Sequence, residues 1–268
     1  AYLYFDGAMS EPIVYINGKE AGRWAYGYNA FRIDATEYLK EGENTIIVHL
    51  NNREESSRWY PGAGLFRPVK LVLMPRLHID PWNIYIRTTR LDEEGATLSV
   101  DAKIVGWDGK EKLIAIAYES KDGPMEQTAL TLDPLTGLAH AEINWKKGKY
   151  SVWTPEHPAL IHFGIYTRNK GRLALLYTTK TAIRTVSVSK EKGFQLNGVS
   201  RKIQGVCLHH DLGPLGAAEN KAALIRQIKQ MKDMGADAIR TAHNMPSELF
   251  VHLCDSLGMM VMAESFDM

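Results

Sequence analysis

The first part of the chain, residues 1–75, alternates apolar and polar side chains in short runs. The apolar positions of these runs are Tyr2, Tyr4, Ile13, Tyr15, Phe31, Ile33, Ile46 and Val48. A period of two residues is typical of strands with one buried face. Between two of the runs lies Asn17-Gly18, a pair preferred in two-residue hairpin turns. The pattern predicts an antiparallel β domain, and because 75 residues are few for a complete sandwich, we expect some strands to be missing.

Residues 76–186 continue with short strand-like runs, the clearest at Thr97–Val105, Leu113–Tyr118 and Leu173–Tyr177. About seven such strands in roughly 110 residues are typical of an immunoglobulin-like β-sandwich. The Cys…Trp…Cys pattern of antibody domains is absent from the sequence. The prediction therefore concerns the architecture of a sandwich and not a particular family.

After residue 187 the apolar period changes from that of strands to an alternation of strands and helices. The predicted elements are a strand at 203–208, a helix at 224–234, a strand at 238–240, a helix between Ser247 and Gly258, and a strand at 259–262. This β-α-β-α-β order predicts parallel strands joined by right-handed crossovers. A closed eightfold barrel takes about 200 to 250 residues. Residues 187–268 number only 82, which predicts either a small open sheet or the first three β/α units of a TIM barrel.

Composition and charge remove several classes of function. The 32 basic and 31 acidic residues nearly balance, so the charge gives no footprint for nucleic acid or for an anionic membrane. No apolar run approaches the eighteen or so residues of a transmembrane helix. The two cysteines, Cys207 and Cys254, are too few for a disulfide framework and are interpreted as small core residues.

Polar residues follow each of the three predicted parallel strands. The first strand ends in His209-His210-Asp211, the second in Arg240-Thr-Ala-His243-Asn244, and the third in Glu264-Ser-Phe-Asp267. Ligands bind at the carboxyl ends of strands in parallel α/β folds. Three consecutive strand ends of this kind indicate a site for a polar ligand.

Each of these residues also has a purely structural interpretation. Arg240 and Glu264 are suited to an ion pair inside the sheet, and either adjacent histidine is suited to a hydrogen-bonded place in the core. A transition-metal site is disfavoured, because adjacent side chains on a strand point to opposite faces and His209 and His210 would not share an ion. A nucleotide site is disfavoured too, because Gly213 and Gly216 do not form a G-x-G-x-x-G motif.

Several segments resemble glycoside hydrolase family 2, the family of β-galactosidases. Ile203–Asp211 resembles the opening barrel strand of that family, Ala238–Pro246 its Arg-[Thr/Cys]-[Ser/Ala]-His-x-x-Pro motif, and Leu253–Glu264 the helix and strand that follow. Upstream, Ser57–Arg67 resembles the segment that closes the family's sugar-binding jelly roll, and Tyr4–Ser10 an earlier part of it. The resemblance implies a multidomain chain: part of a jelly-roll sandwich at 1–75, an immunoglobulin-like sandwich at 76–186 and the truncated N-terminal portion of a (β/α)8 barrel at 187–268.

The resemblance also implies a retaining glycosidase, in which two carboxylates about 5 to 5.5 Å apart serve as acid/base and nucleophile. In the family these glutamates follow the fourth and seventh barrel strands, so we expect neither in this chain, and Glu264 is not the acid/base. By resemblance, His209 and His243 contact the sugar, and Arg240 holds the nucleophile carboxylate. The other substrate-binding or supporting residues are Asp211, Asn244, Glu264 and Asp267.

The expected substrate is a terminal β-linked sugar, with β-galactosidase as the first choice within the family. β-Glucuronidase, β-mannosidase and a non-catalytic carbohydrate-binding β-sandwich module remain alternatives. No cofactor is expected, and since Met268 stands where some family members place a divalent-metal ligand, a magnesium site there is in doubt. The sequence leaves a homo-oligomer open and indicates no nucleic-acid or membrane partner. It does not fix the location, although similarity to Bacteroidetes-type members favours the periplasm or secretion.

Overall fold

In the computed structural model, the described residues are 1–53, 62–120 and 122–265. The chain forms two compact units, one made of Ala1–Leu73 together with Gln204–Met268, and the other of Met74–Ile203. The first unit thus brings the N-terminal β segment and the C-terminal α/β segment together. The division into three domains at 1–75, 76–186 and 187–268 stays a prediction.

The N-terminal β segment of the first unit consists of two small antiparallel sheets. Its strands are β1 Tyr2–Phe5, β2 Ile13–Ile16, β3 Lys19–Arg23, β4 Phe31–Asp34, β5 Ile46–His49 and β6 Val69–Val72. One sheet has the order β4-β1-β6 and the other β3-β2-β5. Alternate side chains of both sheets, including Leu3, Phe5, Val14 and Phe31, share one apolar core. The predicted hairpin is confirmed, since Ile16 pairs with Lys19 across Asn17-Gly18.

The second unit is built from antiparallel strands. They are β7 His78–Leu91, β8 Gly95–Val105, β9 Lys112–Tyr118, β10 Met125–Ala129, β11 Thr131–Leu132, β12 Leu138–Lys146, β13 Ile161–Asn169, β14 Arg172–Thr181, β15 Val186–Ser189, β16 Gly193–Leu196 and β17 Val199–Ser200. The sheets β10-β9-β13-β14 and β11-β12-β8-β7 enclose one apolar core that includes Leu98, Ala115 and Phe163. Strands β15, β16 and β17 form a separate small sheet.

The C-terminal α/β segment of the first unit has the predicted order of elements. They are β18 Gly205–Leu208, a short 3₁₀ helix at Gly213–Leu215, α1 Lys221–Asp233, β19 Ala238–Thr241, α2 Glu248–Leu257 and β20 Met260–Ala263. In the described residues the strands pair in the order β18-β19-β20, and both pairings are parallel. Among the helices that the structure describes, none has the length and apolarity needed to cross a membrane.

Local signals set the helix ends. The side chain of Ser247 accepts a hydrogen bond from the backbone N–H of Phe250 at 3.1 Å, and Gly258 ends α2 in the left-handed conformation. The sequence predicted a helix between these two residues. Helix α1 begins earlier than its apolar pattern indicated, because the Asn220 side chain caps the N–H of Ala223 at 3.0 Å.

The two faces of the parallel sheet differ. Val206, Leu208 and Ile239 pack against apolar residues of α1 and α2, among them the buried Cys254. Cys207 alternates to the opposite face and is exposed. The interpretation of Cys207 as a core residue is therefore wrong, because the pleat of β18 turns it away from the helices.

Candidate active site

The parallel strands bring residues from separate parts of the sequence to one edge of the sheet. Cys207, Arg240 and Met262 lie side by side on β18, β19 and β20. Beyond the strand ends follow His209, His243 and Glu264. The predicted convergence of strand ends is thus confirmed for these polar residues.

Glu264 holds the cluster together through both of its carboxylate oxygens. Its Oε1 accepts hydrogen bonds from the guanidinium of Arg240, and its Oε2 lies 3.0 Å from Nδ1 of His243. The Glu264 side chain is 22% exposed and the other two are 39% exposed, so the group remains within reach of solvent. The ion pair considered as a structural alternative is present, and it also orients an imidazole.

The contact with Glu264 decides which nitrogen of His243 faces a ligand. An imidazole that donates Nδ1–H to a carboxylate keeps its other nitrogen available. Nη2 of Arg240 lies 3.4 Å from the same Nδ1 and cannot accept a proton, so Glu264 is the acceptor. The ring of His209 meets that of His243 edge-on, with centroids 5.6 Å apart at 82°. His209 and His243 therefore lie together beyond the carboxyl ends of β18 and β19.

Arg240 provides a fixed positive charge in this group. Its Nη1 lies 3.6 Å from Sγ of Cys207. Hydrogen bonds to the Cys207 sulfur and to the Glu264 carboxylate raise the pKa of Arg240 above its ordinary value. The guanidinium therefore carries its positive charge throughout the ordinary pH range.

Two of the other predicted residues, Asn244 and Asp211, follow the same strand ends. Asn244 turns its side-chain oxygen to the hydroxyl of Tyr26 at 2.5 Å, in the N-terminal β segment. Asp211 follows the end of β18 and is partly exposed. Asp267 and Met268 lie outside the described residues, as do positions 57–61 of the motif at Ser57–Arg67.

The two adjacent histidines after β18 have different surroundings. His210 packs against the rings of Tyr28 and Phe66, with centroids 4.9 Å and 6.3 Å away, whereas His209 faces His243. The sequence predicted that these two adjacent side chains point in different directions, and they do. Within the described part of the chain, no three His, Cys, Asp or Glu side chains are grouped to hold a metal.

Sequence reasoning missed a buried polar group beneath the site. Arg67 is only 7% exposed, and its guanidinium donates to the carbonyl oxygens of Asp6 (3.2 Å), Tyr28 (2.8 Å) and Met245 (2.9 Å). Burial lowers the pKa of Arg67 and raises that of Asp6 to about 6, while their mutual attraction opposes both shifts. One sign was available in the sequence: Arg67 is a charged residue inside the otherwise apolar run Leu65-Phe-Arg-Pro-Val69.

A cavity opens next to this buried group. Its lining includes Arg67, His210, Asn244 and Phe250, but not Arg240, His243 or Glu264. Apolar side chains from β18, β19, α1 and α2 supply much of its wall. The predicted sugar contact His209 also lines the cavity, which lies between the sheet, the two helices and the N-terminal β segment.

Comparison with known proteins identifies the family. Residues 186–266 match the model of the TIM barrel domain of glycosyl hydrolases family 2. The chain is 36% identical to a beta-galactosidase of Bacteroides ovatus and 36% identical to a putative beta-glucuronidase of Formosa agariphila, in each case over 99% of its length. A crystal structure of a family 2 member from Bacteroides cellulosilyticus superimposes with a TM-score of 0.90 at 29% identity over 99% of this chain.

The barrel-domain match and the similarity to family members over nearly the whole chain confirm the resemblance to glycoside hydrolase family 2 seen in the sequence. The chain spans only 32% and 25% of the two curated relatives and 35% of the crystallised one. Its mostly β structure and its match to a TIM barrel domain agree with the coarse fold prediction. The jelly-roll, immunoglobulin-like and partial-barrel assignments remain predictions.

Proposed function

We propose that this chain is part of a retaining exo-acting β-glycosidase that releases terminal β-linked galactose. The observation that carries the proposal is the Arg240–His243–Glu264 group at the carboxyl edge of a parallel sheet, in a chain that matches the family's barrel domain. The chain spans only 32% and 25% of the two curated relatives, which supports the proposal that it is a segment of a longer protein. The acid/base and the nucleophile are then supplied by segments outside this sequence.

Within that enzyme, His243 and His209 are the groups that meet the sugar. Glu264 fixes the Nδ1 side of His243, so its Nε2 can exchange a hydrogen bond with a sugar hydroxyl. Such contacts accelerate hydrolysis when they strengthen as positive charge develops on the sugar ring. Asp211, Asn244 and Asp267 are proposed as supporting residues by family resemblance alone.

Arg240 is proposed to hold the nucleophile carboxylate ionised. A permanent guanidinium charge near a carboxylate lowers the pKa of that carboxylate and fixes its orientation. Glu264 takes hydrogen bonds from Nε and Nη2 of Arg240, and Nη1 lies near Cys207. The guanidinium has five N–H donors, so donors remain for a second carboxylate.

A β-glucuronide is the second candidate substrate. The chain is as similar to the putative beta-glucuronidase of Formosa agariphila as to the beta-galactosidase, at 36% identity to each. A glucuronide differs from a galactoside in the orientation of the C4 hydroxyl and in having a carboxylate at C6, and that carboxylate needs a cationic contact elsewhere in the site. The two substrates should therefore be assayed side by side.

The proposal is tested by kinetics of the full-length protein that contains this chain, with 4-nitrophenyl β-galactoside and β-glucuronide as substrates. We predict that Arg240→Gln lowers kcat/KM at least about 100-fold, since an interaction with the charge of the transition state is removed. His243→Asn should also lower it strongly. The matched controls, Arg226→Gln and His252→Asn on the exposed faces of α1 and α2, should stay within about twofold of wild type.

An Arg240→Gln enzyme that keeps wild-type kcat/KM would show that this guanidinium has no part in turnover. Loss of activity in the two controls as well would mean that the substitutions act through folding. Circular dichroism and melting temperatures of all four variants separate these outcomes.

A further inference from the structure

The loop that carries His243, residues 242–247 between β19 and α2, is held from outside the sheet by the N-terminal β segment. Tyr26 donates its hydroxyl hydrogen to Oδ1 of Asn244, the residue next to His243. Arg67 donates Nη2–H to the carbonyl oxygen of Met245 at 2.9 Å, one residue further. Asn244 and Met245 are thus each fixed by a different side chain of the same β segment.

The end of the loop is held in the same way. The backbone N–H of Glu248, the first residue of α2, faces the carboxylate of Asp6, which follows β1, and lowers the pKa of that carboxyl against the effect of burial. Lys70 on β6 lies 3.4 Å from the carboxylate of Glu248. The N-terminus of α2 therefore lies beside β1 and β6.

The loop after β18, which carries His209, is anchored on the same segment. The backbone N–H of Glu219 donates to the carbonyl oxygen of Phe66 at 2.9 Å, and the ring of His210 packs against Tyr28. Both histidines of the candidate site thus extend from loops that the N-terminal β segment holds. Glu264 fixes the side chain of His243, while Tyr26 and Arg67 hold the two residues that follow it, through the Asn244 side chain and the Met245 carbonyl oxygen.

The chemistry of Arg67 suits it to this role. A planar guanidinium with several N–H donors can bond three carbonyl oxygens at once, and here these belong to Asp6, Tyr28 and Met245. Because the side chain is buried, losing one of these acceptors leaves an N–H without a partner, which disfavours displacement of the loop. A lysine would keep the positive charge, but it lacks the planar, forked set of N–H donors of a guanidinium.

We propose that Tyr26 and Arg67 are positioning residues of the glycosidase: they hold residues 242–247 so that His243 meets the sugar correctly. This inference rests on the proposed function. If it is correct, the N-terminal β segment contributes to turnover at the site formed by Arg240, His243 and Glu264. Misplacement of a contact group by about 1 Å can reduce a rate by up to 100-fold, so the effect should appear in kcat.

Tyr26→Phe in the full-length protein is the decisive variant, because it removes one hydroxyl group and leaves the packing intact. We expect kcat for the 4-nitrophenyl glycoside to fall about tenfold, with the melting temperature unchanged. Hydrogen exchange measured by mass spectrometry should show faster exchange in residues 242–247. Arg67→Lys should do the same more strongly. The controls are Tyr15→Phe on β2 and Arg23→Lys on β3, an exposed arginine paired with Glu20, and they should change neither quantity.

Unchanged exchange in residues 242–247 of Tyr26→Phe, with or without a loss of kcat, overturns the proposal, since the hydroxyl would then not hold the loop. Unchanged kcat with faster exchange overturns it as well, because the loop would move without consequence. If the wild-type protein turns over neither substrate, the proposed function fails. Exchange in residues 242–247 then decides alone whether Tyr26 and Arg67 anchor the loop.

Discussion

At the scale of single residues, the first unit contains two charged groups in different environments. Glu264, Arg240 and His243 lie partly exposed, where a ligand can reach them. Asp6 and Arg67 are buried, at 5% and 7% exposure, and the guanidinium of Arg67 bonds backbone carbonyl oxygens of its own unit. The first group is suited to binding and the second to holding structure.

Asp6 gives a prediction about pH. Burial raises its pKa from 3.8 to about 6, with Glu219 and Glu248 adding to the shift and Arg67 and the Glu248 N–H opposing it. The folded protein thus binds the carboxyl proton of Asp6 more tightly than the unfolded chain does. Protonated Asp6 therefore contributes stability to the fold below about pH 4, and this contribution is lost as the pH rises through 6. We predict that the free energy of unfolding of wild type, relative to Asp6→Asn, falls between pH 4 and pH 6.5.

Urea unfolding at several pH values measures this difference. The matched control is Asp133→Asn, because a hydrogen bond from Thr136 lowers the pKa of that exposed carboxylate. The ionised Asp133 carboxylate contributes stability that is fully present above about pH 4 and is lost as the pH falls below it, the opposite of Asp6. A difference between wild type and Asp6→Asn that stays constant from pH 4 to pH 6.5 would show that Asp6 titrates normally.

At the scale of elements, the ends of α2 follow from local chemistry. Ser247 is 4% exposed, and its hydroxyl accepts the otherwise unpaired N–H of Phe250. Replacing an N-cap serine by alanine costs about 1 kcal/mol. We predict that Ser247→Ala lowers the free energy of unfolding by about that amount, whereas Ser247→Thr keeps most of it.

The control is Ser256→Ala near the other end of the same helix, where the side chain is exposed. Alanine has the higher helix propensity, so this change should be neutral or slightly stabilising. Equal losses from both substitutions in denaturant unfolding would mean that the cap contributes nothing specific.

Elements defined by neighbouring residues could be predicted from the sequence. The hairpin at Asn17-Gly18, the cap at Ser247 and the stop at Gly258 each depend on a few adjacent positions, and the structure has all three. The start of α1 was missed because its apolar face begins after the Asn220 cap. Cys207 was assigned to the wrong face because a short apolar run does not show which side of a strand meets the helices.

The candidate site was predictable to the extent that it depends on strand order. Arg240, His243 and Glu264 come together because parallel strands end at one edge, and that follows from the β-α-β-α-β pattern. The contacts of Tyr26 with Asn244 and of Arg67 with Met245 join residues 218 and 178 positions apart. No local pattern encodes such pairings, so only the folded chain reveals them.

At the scale of the whole molecule, apolar side chains remain exposed along the strands of the first unit. Ile47 on β5, Leu71 on β6 and Met262 on β20 are each more than half exposed, and so is Leu73 just after β6. In the described residues β18 and β20 each pair with β19 alone, which leaves strand edges open. Exposed edges and apolar faces favour association between chains.

We therefore predict that the 268-residue chain, prepared by itself, self-associates at micromolar concentration, and that the full-length protein does so less. Multi-angle light scattering of both preparations measures the masses. A monodisperse monomer of the 268-residue chain with a sharp calorimetric transition would contradict the view that these surfaces need covering.

The most direct test of the central claim is the identity of the sugar anomer that the full-length protein releases first. Proton NMR can follow the hydrolysis of 4-nitrophenyl β-galactoside and, in parallel, of the β-glucuronide. A retaining β-glycosidase must produce the β anomer first, with the α anomer appearing later by mutarotation. The α anomer as first product, or no hydrolysis of either substrate, would contradict the account.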